Sequence, residues 1–319
     1  MGISSLPPEL TEESYIGTFE LAGSAGEVIL IQRTPPWAEL LAGRISEDTV
    51  QATQREVDLA ERNGLDLFIA IDPTDGSKRR SRLAGLPDEL IGAGFANEDV
   101  QRAFIAYAEY IAESYRPKYL ALGVEINSYQ QHQPEDFERF VILYHETYEA
   151  VKAISPDTLI FPTFQLEELQ GLLPLEGPLQ SQWHLISRFE PRLDLLAVSS
   201  FPGLVFPTAD EIPDAYFTQI ALYSERPIAI TGLGYSSAPT DDATRAEAEV
   251  AQAAFVRRTL NNAEQIGIAL VIWFAGQDPT FTGEAPLDLL RDAGLARQDG
   301  TAKPAWTIWS QTARRPLAE

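Results

Sequence analysis

The stretch "PIAITGLGY" at residues 227–235 shows the pattern on which the fold prediction rests. Its apolar residues run almost without interruption, which is typical of a parallel strand covered on both faces. Gly232 and Gly234 then end the run. A long helical pattern, "TRAEAEVAQAAFVRRTLNNAEQIG", follows and leads to the next apolar run, "IALVIWFAG". The order strand, helix, strand predicts a βα unit.

The same alternation covers the rest of the chain. The earlier apolar runs are "GISSLP", "EVILIQ", "LDLFIAID", "KYLALGVEIN", "TLIFPTFQ" and "LDLLAVSSF". Helical patterns separate or follow the runs, among them "TEESYIGTFELAG", "SEDTVQATQREVDLAERNG", "NEDVQRAFIAYAEYIAESY", "PEDFERFVILYHETYEAVKAI", "SQWHLISRF", "DAYFTQIALYS" and "PLDLLRDAG". Eight strand–helix units predict an α/β fold, the (β/α)8 TIM barrel, as a single domain over residues 1–319. Seven strands would instead favour an open doubly wound sheet, but no glycine-rich phosphate loop follows any run.

Composition excludes several classes of function. The 319 residues include 24 Lys and Arg against 47 Asp and Glu, a net charge of -23. Such a field repels phosphate backbones and anionic lipid, so we expect neither nucleic acid nor membrane as a partner. There is no cysteine, which excludes disulfides and thiolate catalysis. The three histidines have no metal-ligand spacing, so we expect no metal and no cofactor.

The sequence favours a soluble protein. The longest apolar run, "IALVIWFAG", is far shorter than the ~20 residues that cross a bilayer. The start, "MGISSLPPEL", lacks the basic and apolar regions of a signal peptide. Two locations stay open: a secreted protein whose leader has been removed, and a cytoplasmic protein.

Candidate site residues come from the predicted carboxyl ends of the strands, where the chemistry of a (β/α)8 barrel is found. Amides and acids pair with sugar hydroxyls, and aromatic rings cover the apolar faces of a pyranose. The mixture therefore predicts an oligosaccharide or polysaccharide partner, with Trp273 as the sugar platform. The candidates are Gln32, Arg33, Trp37, Asp72, Glu125, Asn127, Gln165, Glu167, Tyr235, Trp273 and Asp278.

Glu125 is the most specific of these candidates, because it emerges from the apolar strand "YLALG". The functional interpretation is a general acid/base whose pKa is raised by its partly buried setting. The structural alternative is a loop acid paired with Arg33 or Arg79.

The other candidates have structural alternatives too. Asp72 and Asp278 suit a turn or a helix cap as well as a ligand. Of Glu167 and Glu168, we expect at most one to face the barrel axis. The structural alternative for Trp273 is a core tryptophan. If Trp273 is the sugar platform, Trp37 and Tyr235 are expected to flank it as walls.

The runs "YLALGVEIN", "FPTFQLEEL", "LLAVSSFP", "RPIAITGLGYSS" and "VIWFAGQDP" together resemble the large clan of (β/α)8 retaining glycoside hydrolases. That clan includes cellulases, β-mannanases, β-galactosidases and the arabinogalactan endo-β-1,4-galactanases, which the chain resembles most. The resemblance spans roughly residues 2–310. It implies that Glu125, after the fourth strand, is the acid/base. It also implies that Gly232, after "PIAIT", stands at the position of the nucleophilic glutamate.

Two departures qualify what the resemblance implies. Val124 stands where the clan has an asparagine for the sugar 2-hydroxyl, so that recognition is lost or moved to Asn127 or Gln165. Gly232 cannot form the glycosyl-enzyme intermediate of a retaining mechanism. Three explanations remain open: an engineered removal of the nucleophile, a natural pseudoenzyme, or another second acid such as Glu167 or Asp278.

The function predicted from the sequence is a glycoside hydrolase acting on β-linked saccharides by retaining double displacement. This copy is expected to lack its nucleophile and to be inactive or glycosynthase-like. The alternative is a carbohydrate-binding barrel without turnover.

Overall fold

In this computed structural model, residues 1–76, 79–173, 180–239, 243–282 and 287–314 are described. Within those ranges nine strands form one sheet, in the hydrogen-bonded order β5-β4-β3-β2-β1-β9-β8-β7-β6. The neighbouring strands pair in parallel. The fold is the predicted (β/α)8 barrel. The strands are β1 (Gly2–Ser4), β2 (Val28–Arg33), β3 (Asp66–Ile71), β4 (Tyr119–Leu122), β5 (Leu159–Phe161), β6 (Thr163–Gln165), β7 (Leu196–Ser200), β8 (Ile228–Leu233) and β9 (Leu270–Trp273).

Each of the eight predicted runs contains a strand, and the fifth contains two. Pro162 separates β5 from β6 inside "TLIFPTFQ". Proline has no N–H to donate to a neighbouring strand, so the ladder is interrupted at that residue. The ninth strand therefore comes from a broken fifth strand and adds no further βα unit.

The main helices begin close to where the sequence predicts. Thr11 caps α1, Asn97 caps α4, and Thr244 forms a capping box with Glu247 at α8. The helices are α1 (Glu12–Ala25), α2 (Trp37–Leu41), α3 (Glu47–Arg62), α4 (Glu98–Ser114), α5 (Ile126–His132), α6 (Pro134–Ile154), α7 (Leu166–Leu169), α8 (Arg245–Ile266) and α9 (Pro304–Ala313).

Three predicted helical segments were wrong in type. The segments "SQWHLISRF", "DAYFTQIALYS" and "PLDLLRDAG" contain 3-10 turns at Trp183–Phe189, Thr218–Leu222 and Leu287–Leu290, and Pro286 is outside the described residues. The first two have no side-chain cap, and segments this short readily tighten into i→i+3 turns. The sequence also missed α2, α5 and α9.

Contacts divide the chain into two compact units. The first comprises residues 1–30, 63–65 and 199–319, and the second comprises residues 31–62 and 66–198. In the first, the Trp273 and Trp309 rings pack with centroids 6.1 Å apart. In the second, Phe95 and Phe140 pack at 4.9 Å. The single domain over residues 1–319 stays a prediction. Among the described helices, none has both the length and the apolarity to cross a bilayer.

Candidate functional site

Glu125 follows β4 on a strained turn. Gly123 and Glu125 have φ of 101° and 48°, both in the left-handed region. A Cβ on Gly123 would stand 2.6 Å from the Ile126 side chain and 2.7 Å from the Phe140 ring, so a glycine is required there. The Glu125 amide donates a 2.9 Å hydrogen bond to the Thr163 Oγ1. Such strain costs about 1–3 kcal/mol and concentrates at functional sites.

The Glu125 carboxylate is held by Arg80. The Arg80 Nε donates to the Glu125 Oε2 at 2.7 Å, and its Nη1 donates to the Asp72 Oδ1 at 2.7 Å and to the Thr74 Oγ1 at 2.9 Å. The Arg80 side chain is only 9% exposed. Burial lowers the pKa of its guanidinium, but the Asp72 and Glu125 carboxylates outweigh burial and raise that pKa above its usual value. Arg80 is therefore a partner of Glu125, where the sequence offered Arg33 or Arg79.

Asp72 orients this arginine. Its Oδ2 accepts a 2.8 Å hydrogen bond from the Gln32 Nε2, and its Oδ1 accepts from Arg80 and from the Thr74 amide. The structure thus gathers side chains from the carboxyl ends of β2, β3 and β4, and we call this group the Arg80 cluster: Gln32, Asp72, Thr74, Arg80 and Glu125. With both acids ionised, the cluster carries one net negative charge.

Asn127 and Gln165 are committed to the protein itself. The Asn127 Oδ1 accepts from the Gln165 amide at 2.8 Å, and its Nδ2 donates to the Gln182 Oε1 at 2.9 Å. The Gln165 side chain bonds Glu167 and caps the Glu168 amide at 2.7 Å. These amides hold α5 and α7 in place, which differs from the predicted contact with a sugar hydroxyl.

Glu167 and Glu168 are both buried, at 0% and 6% exposure. The Glu168 Oε2 accepts a 2.7 Å hydrogen bond from the Ser128 Oγ. Burial, the largest effect, and the nearby Glu125 and Glu167 raise the pKa of Glu168 to about 8, against opposing contributions from Ser128 and Arg80. Sequence reasoning considered Glu168 but left it out of the predicted site.

Arg33 and Trp37 do not join the Arg80 cluster. Arg33 forms an ion pair with Glu56 on α3, and Tyr115 donates to the same carboxylate at 2.7 Å. Trp37 is 1% exposed, and its indole N–H bonds the Ala84 carbonyl at 2.7 Å. Trp37 is buried in the packing, so its predicted sugar contact was wrong. The predicted contact of Arg33, whose side chain is 31% exposed, stays a prediction.

Gly232 lies inside β8, in the first unit. A Cβ built there would stand 3.4 Å from the Ser199 Cβ and 3.7 Å from the Phe274 ring, which is ordinary contact, and its φ is not in the left-handed region. At Gly234, by contrast, a Cβ would stand 2.6 Å from the Phe201 ring. Neither crowding nor backbone conformation therefore requires a glycine at 232. The pairing of β8 with β9 also shifts between Ile230 and Leu233, a feature common beside active sites.

Trp273 belongs to the core. It is completely buried, its indole N–H donates to the Ala293 carbonyl at 2.9 Å, and it packs on Trp309. The predicted sugar platform at Trp273 was wrong, because no ring face is exposed. The next residue, Phe274, is half-buried and lies beside the Gly232 Cβ position. Successive side chains of a strand point to opposite faces. Trp273 therefore faces the core, whereas the adjacent Phe274 faces the other way.

Tyr235 and Asp278 are also structural. The Tyr235 ring stacks on Phe255 at 4.7 Å and is buried, so it does not form the predicted wall. The Asp278 Oδ1 accepts from the Lys303 Nζ at 2.7 Å and from the Gly294 amide at 2.8 Å. Burial raises the pKa of Asp278 above its usual value, although Lys303 opposes that shift. Asp278 is therefore a poor candidate for a second catalytic carboxylate or a sugar ligand.

The fold is that of the (β/α)8 glycoside hydrolases, as the sequence resemblance predicted. No protein-family model and no curated protein matches the chain. An exo-β-1,4-mannosidase from an Opitutaceae bacterium has a TM-score of 0.72 at 15% identity, over 98% of this chain and 58% of the mannosidase. A GH5_18 variant from Streptomyces cattleya, in complex with Manβ1-4GlcNAc, has a TM-score of 0.71 at 17% identity, over 96% of this chain and 76% of its own. Xylanase 10B from Thermotoga maritima has a TM-score of 0.63 at 12% identity, over 98% of this chain and 94% of the xylanase.

At these identities the likeness is one of fold. The chain spans less than two thirds of the length of the mannosidase. Within the described residues, no group of three or more His, Asp and Glu side chains is arranged to hold a metal ion.

Proposed function

We propose that the chain is a glycoside hydrolase-type barrel that binds β-linked saccharides and lacks the nucleophile of a retaining mechanism. The observation that carries this proposal is Gly232, a strand glycine that neither its φ nor its neighbours require. Glu125 follows β4 and Gly232 lies near the carboxyl end of β8, the two strand ends where the clan places its acid/base and its nucleophile. Carboxyl ends of parallel strands carry the active site in this fold.

The chemistry explains what such a chain retains and what it loses. In a retaining mechanism one carboxyl protonates the leaving oxygen while the other, about 5–5.5 Å away, bonds the anomeric carbon. Glu125 is assigned the first role, and a glycine cannot take the second. A small anion such as azide can replace the missing group: it bonds the anomeric carbon, the glycosidic C–O bond breaks, and Glu125 protonates the departing oxygen. The product is then the glycosyl azide of inverted configuration.

A second candidate function is saccharide binding without any turnover. The ion pair between Arg80 and Glu125 favours it, since an ionised carboxylate accepts hydrogen bonds from sugar hydroxyls but has no proton to give. The remaining alternative, a different second carboxylate, has less support. Asp278 is paired with Lys303, and Glu167 is fully buried and bonded to Gln165.

Calorimetric titration with a panel of disaccharides tests the proposed binding. The panel includes β-1,4-mannobiose, cellobiose, xylobiose and Manβ1-4GlcNAc. We expect at least one of them to bind, and no release of aryl alcohol from aryl β-glycosides by the unaltered chain. If no disaccharide in the panel produces heat of binding, the proposal is wrong.

Phe274→Ala is predicted to weaken binding of the disaccharide by about 1–3 kcal/mol, because an aromatic face against the pyranose is lost. Trp273→Phe is the matched control, because it alters the adjacent core ring. We expect that control to lower the melting temperature and to leave the dissociation constant unchanged. The opposite result is weaker binding in Trp273→Phe and an unchanged dissociation constant in Phe274→Ala. That result would assign the sugar platform to Trp273.

A further inference from the structure

The Glu168 carboxyl group is held asymmetrically. Its Oε2 accepts hydrogen bonds from the Ser128 Oγ at 2.7 Å and from the side-chain amides of Asn127 and Gln131, both at 3.4 Å. All three donors belong to α5, the helix that begins directly after Glu125. The Glu168 amide is fixed by Gln165. The side chain therefore has one orientation, with Oε2 toward α5.

The other oxygen, Oε1, is different. Among the described residues it has no hydrogen-bond partner. The fully buried side-chain atoms that lack a partner in this part of the chain belong to His132, His145, Gln252 and Thr259. Because the Glu168 Oε1 is not among them, it reaches accessible space although the residue as a whole is only 6% exposed.

This asymmetry indicates where a proton resides. Three donors already occupy Oε2, so the proton of the neutral acid is carried by Oε1. A protonated carboxyl group has one O–H donor. The charged groups that face Glu168 are Glu125, Glu167 and Arg80. Burial and the two glutamates favour the neutral form more than Arg80 and the Ser128 hydrogen bond oppose it, so the pKa of about 8 keeps the group neutral at pH 7.

We propose that Glu168 is a neutral-acid hydrogen-bond donor of the candidate site, which presents its O–H at Oε1 to an oxygen of a bound saccharide. The inference rests on the proposed function. A sugar hydroxyl both donates and accepts, so it can use a neutral acid as donor as well as a carboxylate as acceptor. Glu125 accepts, and Glu168 donates. Ionisation of Glu168 removes the donor and places a further negative charge in the site.

Infrared difference spectra across a pH titration test the neutral acid without any ligand. The unaltered chain is expected to lose a carbonyl band of a protonated carboxylic acid with a midpoint near pH 8. Glu168→Gln should lack that band. Glu113→Gln, on the exposed face of α4, is the matched control and should keep it. Absence of the band from the unaltered chain, or its persistence in Glu168→Gln, would overturn the proposal.

Titration of β-1,4-mannobiose between pH 6.5 and 9.5 tests the donor role. Affinity for the unaltered chain should fall about tenfold or more across this range, since binding follows the protonated fraction. Glu168→Gln should bind without this pH dependence, because its amide still donates. The same fall in Glu168→Gln would assign the effect to another group and overturn the proposal. If mannobiose and the rest of the panel fail to bind while the infrared band behaves as expected, the proposed function fails and the neutral acid at Glu168 stands.

Discussion

Replacing Gly232 by glutamate is expected to raise the rate of aryl β-glycoside hydrolysis several powers of ten above that of the unaltered chain. The new carboxylate would capture the anomeric carbon, and Glu125 would then activate water to release the sugar. Restoring such a group corresponds to roughly 5 kcal/mol or more of transition-state stabilisation. The position accepts a side chain, because a Cβ there makes only ordinary contacts with Ser199 and Phe274. Release of the aryl alcohol, followed on a panel of β-mannosides, β-glucosides and β-galactosides, measures the rate.

Gly232→Gln is the matched control for this experiment. It fills the same space without a nucleophile, so it should remain as inactive as the unaltered chain. Adding Glu125→Gln to Gly232→Glu should remove most of the gain on substrates with poor leaving groups. If the unaltered chain already turns over at ordinary rates and Gly232→Glu adds nothing, Gly232 is not the nucleophile position.

Arg80→Met is expected to lower the free energy of unfolding by about 3–5 kcal/mol, because it removes the cation that pairs with the buried Asp72 and the part-buried Glu125. The affected groups are Asp72 and Glu125, both bonded to the Arg80 guanidinium at 2.7 Å. Urea denaturation monitored by fluorescence measures the change.

The adjacent residue provides the control for Arg80→Met. Arg79 has nearly the same backbone conformation, with φ of 50° against 56°, but its side chain is exposed. Arg79→Met should therefore change stability by less than about 0.5 kcal/mol. Equal losses in the two variants would show that the strained backbone, and not the buried ion pairs, determines the effect.

The strands were predictable because parallel strands covered on both faces leave continuous apolar runs in the sequence. The break at Pro162 was predictable in principle as well, since the missing N–H is a local property. The 3-10 turns between later strands were not. The runs "SQWHLISRF" and "DAYFTQIALYS" have helical periodicity, but tertiary packing chooses the tighter turn.

The candidate site was only partly predictable, for a different reason. Glu125 is visible because a lone acid follows an apolar strand. Arg80 is not, because two successive left-handed residues in a loop turn its guanidinium inward. The predicted sugar platform at Trp273 was wrong by one residue along the strand. A shift of one residue moves a side chain from the buried face of a strand to the opposite face. Composition does not show which of two adjacent aromatic residues, here Trp273 and Phe274, is buried in the core.

The ion pair between Asp278 and Lys303 limits how far the chain can be shortened from its C-terminal side. Lys303 immediately precedes α9, and its ammonium bonds Asp278, the Ser237 hydroxyl and the Asp292 carbonyl. Trp309 in the same helix donates to the carbonyl of Ala25, at the end of α1. A protease cut before Lys303 would leave the buried Asp278 carboxylate without its cation. It would also expose the last turn of α1. Limited proteolysis at sites before Lys303 should therefore yield no stable fragment.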